Sequence, residues 1–454
     1  MSRYETILSV FHEMQDEIND RINHEIELNR KGYFKIRVVD EKGEPVANKS
    51  VHFKHKKHEF KFGANIFMLD EISDEVKNEK YKDAFANLFN LATLPFYWYS
   101  LEPEEGKPRY EKNSEKYYRR PTPDLCLEFC EKHGITPKAH CLLYDIFEPS
   151  WLKKDDIWEV RRQYERHFKE ISERYRDRIP QFEVTNELLL NPVRKDPYPY
   201  SHSDAILSDA FKLAERYFPY NELILNEAGD PFYRHGFNYG RSNYYLMIEK
   251  ALREGLRIDT IGIQFHAFRP KDDEAFYLTS LYNPDMLYRV LDQYAKLDRP
   301  IQITEITIPA YSEGEEDEKT QAELLSWLYR IWFSHRSTEA IIYWNVIDGY
   351  AHVWDKDPEK IKASQGDFTK GENQYYGGLL RFDGSKKPSY HVLENLIKNE
   401  WTTECDCLTG EDGKLKFKGF YGEYDVYIDG VKYEVNATKS RSLQVMEIQL
   451  KGEQ

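Results

Sequence analysis

Cysteine is scarce in this 454-residue chain, which has five and no paired CxxC motifs. That argues against a disulfide-built scaffold and against a thiolate metal site. No apolar run approaches the ~18 residues of a membrane-crossing helix, and the mean hydropathy is −0.75. Positive charge is in the minority: 64 Lys and Arg face 79 Asp and Glu, for a formal net charge of −15. A basic face for nucleic acid or anionic lipid is therefore not expected. The first 30 residues are charged throughout and lack the apolar core of a secretory leader, so the cytoplasm is the expected location, with a processed secreted form as the alternative. A glycine-rich phosphate loop and a metal-ligand cluster are also missing, so no cofactor and no metal are expected.

Aromatic rings are abundant instead, with 34 Tyr, 25 Phe and 8 Trp. Rings with a polar edge suit surfaces that stack on sugars, and they serve equally well in a large core. Residues 1–30 read as one amphipathic helix, with Ile7, Phe11, Met14, Ile18 and Ile22 spaced by three and four. Residues 31–60 and 401–454 alternate with period two, and Asp429-Gly430 marks a tight hairpin. Neither end has enough strands for a stable pair of sheets, so the two are expected to combine into an accessory β-sandwich. His52, His55 and His58 do not fit one face of a strand, and Cys126 and Cys130, one helical turn apart, read as core thiols.

Between these ends, residues 61–400 alternate short apolar runs with long helical patterns. The runs are 61–66, 90–96, 135–143, 181–186, 223–226, 259–266, 300–305 and 340–346. The helix after Trp151 is the clearest, with Ile157, Val160, Tyr164, Phe168, Ile171 and Tyr175 at 3.6-residue spacing before Pro180. Eight strand–helix units predict an α/β fold, a (β/α)8 TIM barrel, whose chemistry belongs at the C-terminal ends of the strands.

Two of those ends carry a carboxylate: Glu187 follows Asn186 on the fourth run, and Glu305 ends the seventh. Alone, each is as well explained as a helix cap. Facing one another across a barrel mouth, they are the equipment of a glycoside hydrolase. Gln264 and His266 share a strand face, where the histidine can support the nucleophile. His140 lies on the third run and Trp344 on the eighth, the latter as a floor for a sugar ring. Tyr144, Trp98 and Trp354 are further candidates for substrate binding, and Trp98 lies in an aromatic cluster from Phe96 to Tyr99.

These segments resemble glycoside hydrolase family 10, the xylanase family. The likeness spans about residues 60–400 and rests on FEVTNE (182–187), GIQFHAF (262–268), ITE (303–305), IYWNVID (342–348), SLEPEEGK (100–107), Pro149-Ser150-Trp151 and GGLLRFDGSKKPSYHVL (377–393). It implies a retaining mechanism on β-1,4-linked glycans, with Glu187 as acid/base and Glu305 as nucleophile. His140, Asn186, Gln264, His266 and Trp344 match positions that bind sugar or support the nucleophile. The chain also departs from the family. TLPFYWYS replaces a Glu-Asn and Lys grip, Tyr144-Asp145 stands for Trp-His, Thr307 for Asp, and Glu183 for Asp. The expected activity is that of an endo-β-1,4-xylanase. The alternatives are a retaining β-glycosidase on another β-glycan, oligosaccharide or β-glucoside, and a carbohydrate-binding protein on a decayed barrel. The sequence leaves the oligomeric state open.

Overall fold

The computed structural model describes residues 2–451 except 194–197, 199, 202–204, 230, 233–240, 279–280, 356–357 and 443. Strands are numbered in chain order. β1 (Lys31–Val39) and β2 (Ser50–His58) come first. Eight follow: β3 (Lys61–Asn65), β4 (Leu91–Pro95), β5 (Thr136–Leu143), β6 (Gln181–Asn186), β7 (Glu222–Glu227), β8 (Thr260–His266), β9 (Ile301–Thr307) and β10 (Thr338–Tyr343). The last are β11 (Glu404–Leu408), β12 (Lys414–Phe420), β13 (Gly422–Ile428), β14 (Val431–Ala437) and β15 (Val445–Gln449).

Strands β3 to β10 close into a barrel in chain order, with β10 beside β3. β4, β6 and β9 are buried along their whole length, and in β6 and β9 apolar side chains alternate with buried polar ones such as Glu183, Thr185, Gln302 and Thr304. The intervening helices are amphipathic and carry local start and stop signals. Asp156 caps the helix Ile157–Tyr175 by accepting from the N–H groups of Trp158 and Glu159, and Val160, Tyr164, Phe168, Ile171 and Tyr175 are buried on its inner face. The helix Pro123–His133 opens on proline, ends at Gly134 in the left-handed region (φ 63°), and buries Cys126 and Cys130.

The chain divides into two compact units. One comprises residues 1–15, 62–333 and 337–392, and contains the barrel; the other comprises 16–61, 334–336 and 393–454. The single N-terminal helix expected from periodicity is in fact two, Arg3–Glu13 and Gln15–Asn29, because Met14 leaves helical geometry (φ −103°, ψ 18°). Each half has its own packing. Phe11 stacks on Trp327 within the barrel unit and Arg3 pairs with Glu274 there, whereas Ile18, Ile22 and Ile26 are buried in the second helix.

The second unit holds a three-stranded sheet, β12-β1-β15, and a four-stranded sheet, β11-β2-β13-β14. Phe34, Ile36, Phe53, Phe417, Tyr424 and Val426 belong to the core they share, so the two chain ends do build a sandwich. Asp429 and Gly430, with φ of 52° and 79°, form the two-residue turn that joins β13 to β14. The histidine triplet is resolved by a bulge: the register against β13 slips between Lys57 and His55, so His55 and His58 both turn inward, 4.4 Å apart, while His52 pairs with Asp406. Among the described residues no helix is long and apolar enough to cross a membrane.

Candidate active site

At the C-terminal mouth of the barrel, the strand ends surround a cavity of about 520 Å³, within the range usual for small-molecule sites. β6 delivers Asn186, and the chain turns at Glu187 with φ 55°, a left-handed conformation that non-glycine residues adopt mainly where function or packing imposes it. β9 delivers Glu305, and β8 delivers Gln264 and His266 from one face.

Gln264 connects the two carboxylates. Its Nε2 donates to Glu187 Oε1 (3.0 Å) and to Glu305 Oε1 (3.1 Å). Glu305 Oε1 also accepts from Asn226 Nδ2 (3.0 Å), and its Oε2 from His266 Nε2 (3.1 Å). The Tyr144 hydroxyl donates to Glu187 Oε2. Asn186 points its carbonyl at Asn226 (2.8 Å) and Gln264 (3.3 Å), which leaves its amide N–H groups for a ligand.

Beneath Glu305 lies a buried ion cluster. Lys138 and His140, two apart on β5, both pair with Glu183 of β6, and His140 Nδ1 stands 3.8 Å from Glu305 Oε1. Despite burial, Lys138 and His140 hold the Glu183 carboxyl down at about 2, and Glu183 in turn raises His140. Burial pushes Glu305 up to about 8, against the opposing charge of His140. Its N–H donors favour the ionised form and work against that shift. The ligand atoms of His140, Glu183 and Glu305 lie within 4.8 Å of one another, but Lys138 already neutralises Glu183, so the cluster is a closed chain of ion pairs, poorly suited to a cation.

His266 is pushed down to about 4 by burial and is neutral at pH 7. Its Nδ1 lies 2.9 Å from Thr307 Oγ1. A threonine can donate a proton to a neutral ring where an aspartate cannot, so the hydroxyl donates to Nδ1 and Nε2–H is directed at Glu305. The Thr307 departure thus keeps a working hydrogen-bond chain while removing a negative charge from beside the histidine.

Glu187, Glu305, His140, Asn186, Gln264, His266, Trp344, Tyr144 and Trp354 all line the cavity. Trp98 does not. The helical turn Trp98–Leu101 rotates its ring away, onto His167 (4.3 Å) and Tyr164, and Nε1 donates to Glu102. Of its neighbours, Tyr97 lines the cavity and Phe96 is core. Sequence reasoning missed Asn226 and Glu227 at the end of β7, although a polar pair closing an apolar run is the same signal that marked Asn186 and Glu187. Glu227, raised to about 8 by burial, accepts from the N–H of Leu189 and so holds the turn after Glu187. It also missed Arg119, Arg120 and His352, which line the cavity from loops, and Glu372, which lines it from the short helical turn Gly371–Tyr375.

The profile of glycosyl hydrolase family 10 matches residues 55–370. The chain is 25% identical over 425 residues to the anti-sigma-I factor RsgI6 of Acetivibrio thermocellus, covering 91% of this chain and 46% of that protein. It is 25% identical over 361 residues to endo-1,4-beta-xylanase 2 of Arabidopsis thaliana, covering 78% and 28%. The chain therefore spans less than half the length of either of these relatives. In fold it is similar to xylanase 10B from Thermotoga petrophila RKU-1 in complex with xylobiose, with a TM-score of 0.58, 20% identity, and coverage of 75% of this chain and 95% of that one.

Proposed function

The chain belongs to glycosyl hydrolase family 10, and on that premise we propose that it hydrolyses a β-linked glycan with retention of configuration, Glu187 acting as acid/base and Glu305 as nucleophile. The observation that carries this reading is the shared Gln264 amide. The two carboxylate oxygens it joins lie at most about 6 Å apart, which supports the close pairing of a retaining enzyme, about 5–5.5 Å between carboxyl groups, over the roughly 6.5–9.5 Å of an inverting one.

Glu187 gives its proton to the glycosidic oxygen while Glu305 attacks the anomeric carbon, so the C–O bond to the leaving group breaks as the ester bond to Glu305 forms. Glu187, now a carboxylate, takes a proton from water, and that water displaces Glu305. Asn226, Gln264 and His266 orient the nucleophile, and Tyr144 orients the acid/base. The names of the relatives support β-1,4-xylan as the first substrate to try. The aromatic stretch TLPFYWYS in place of a Glu-Asn-Lys grip supports a short oligosaccharide or an aryl β-glucoside as the second.

The test is turnover of aryl β-xylosides, aryl β-glucosides and β-1,4-glycans, with the first-formed anomer read by NMR. The β anomer is expected. An α anomer released first, or wild-type turnover by Glu305→Ala, overturns the reading. Binding without turnover is the second reading. It is favoured by the elevation of Glu305 to about 8 and by the resemblance to a protein named as an anti-sigma factor. Glycan binding with no hydrolysis at pH 9 would establish it.

A further inference from the structure

The proposed hydrolysis makes no use of two buried arginines in the cavity wall. Arg119 and Arg120 both line the cavity and are only 4% and 5% exposed. Among the described residues neither forms an ion pair.

Arg119 is committed to the protein. Its two Nη atoms donate to Asn345 Oδ1 (3.2 and 3.1 Å), and Nη1 also donates to the Tyr350 carbonyl. Asn345 passes the contact on to Glu372 through Nδ2 (2.9 Å), so the charge of Arg119 is balanced one amide away. Arg120 has no such relay. Of its five N–H donors one is used, Nη1 to the carbonyl of Arg119 at 2.9 Å, and its buried Nε has no partner. The guanidinium lies 4.0 Å from the Tyr97 ring centroid and 5.4, 5.5 and 5.9 Å from those of Phe67, Phe147 and Tyr99, and it acts on Glu71 only through space, without an ion pair. The Tyr97 hydroxyl in turn meets His140 Nε2 (3.0 Å), beside Glu305. The nearby His352 ring is neutral, held down at about 3 by burial and by the two arginines.

An unpaired, desolvated cation is costly, and a guanidinium edge is shaped for two parallel hydrogen bonds to one planar anion. Neutral sugar hydroxyls would leave that charge uncompensated. An acidic sugar would neutralise it, and would also offset its own repulsion from Glu187 and Glu305.

We propose that the glycan cleaved here carries an anionic substituent, a uronate carboxylate or a sulfate ester, which Arg120 engages inside the cavity. This rests on the cavity being the glycan site of the preceding section. The test compares kcat/KM for 4-nitrophenyl β-glucuronide, β-glucoside 6-sulfate, β-glucoside and β-xyloside, in the wild type and in Arg120→Met, which removes the charge and keeps an unbranched side chain. For the wild type, one anionic glycoside is expected to exceed the neutral glucoside by at least about tenfold, the scale of a charge-assisted hydrogen bond, and which of the two does so identifies the anion. In Arg120→Met that ratio is expected to fall by about tenfold or more. A wild-type preference for neutral glycosides, or a ratio that Arg120→Met leaves unchanged, overturns the proposal. If nothing is hydrolysed, calorimetry decides it separately. Methyl β-glucuronide or its 6-sulfate counterpart binding tenfold more tightly than methyl β-glucoside upholds the anion site while hydrolysis fails, and equal or weaker binding overturns it.

Discussion

In the sandwich unit the interior is almost wholly apolar: Phe34, Ile36, Val38, Phe53, Phe417, Tyr424 and Val426 pack with little but ring and methyl surface between them. The top of the barrel is the reverse. Lys138, Glu183, His140, Glu305, Gln264 and Asn226 are all buried, and nearly every contact among them is a hydrogen bond or an ion pair. Both interiors are buried, but the second has paid the desolvation of charge, and Glu305, Gln264 and His140 there also face the cavity. The two units therefore respond to substitution in different ways.

The largest separation comes from single replacements in each core. Glu305→Gln is expected to lower kcat/KM by roughly four orders of magnitude or more, as loss of a nucleophile does. Its Tm is expected to rise relative to wild type as pH increases. The folded-state carboxyl, raised to about 8, contributes stability at low pH that is lost as pH climbs through that value, and Gln has no charge to lose. Phe53→Ala, which removes a ring stacked 4.3 Å from Phe417, is expected to cost about 3–5 kcal/mol in denaturant unfolding and to leave kcat/KM of the folded fraction within about twofold. Equal effects of the two on activity would erase the comparison.

Glu183→Gln is next. It strands Lys138 and His140 without their counter-charge, at a cost of about 3–5 kcal/mol, and unlike Phe53→Ala it is expected also to slow hydrolysis. Unfolding and kinetics on one preparation would check both. A smaller effect is expected at Thr307. Wild-type kcat/KM should show its acidic limb near pH 8, following Glu305. Thr307→Asp, by favouring the imidazolium of His266, is expected to move that limb down by about 1–3 pH units. The smallest effect concerns the exception in the sandwich, the buried pair His55 and His58. Burial lowers His55 to about 4, so the stability it supports is present above the ordinary histidine range and is lost as pH falls toward 4. A His55→Phe variant should unfold less readily than wild type at pH 5 and show little difference at pH 8.

Much of the barrel was legible because each strand carries buried apolar residues in a short run between longer helical patterns. Glu187 and Glu305 stood out as carboxylates at the ends of two such runs, where the strands reach the barrel mouth. Other features had no local signature. Trp98 follows the strand as closely as Tyr97 does, and only the helical turn that begins at Trp98 sends their rings to different places. The break at Met14 interrupts a pattern whose spacing continues across it, since Ile18 and Ile22 are buried in a second helix. Arg119 and Arg120 come from a loop without periodicity, and what separates them is their hydrogen-bond partners, Asn345 and Tyr350, distant in the chain, for Arg119 and the Arg119 carbonyl for Arg120, which a sequence does not display.

The shared amide of Gln264 has a further consequence. Two carboxylates bridged by water or by a third acid could pass a proton from one to the other. An amide takes up no proton at any ordinary pH. Gln264 therefore works as a spacer: it holds Glu187 and Glu305 in register without offering a proton path between them, while the charge of Glu187 still reaches Glu305 through space.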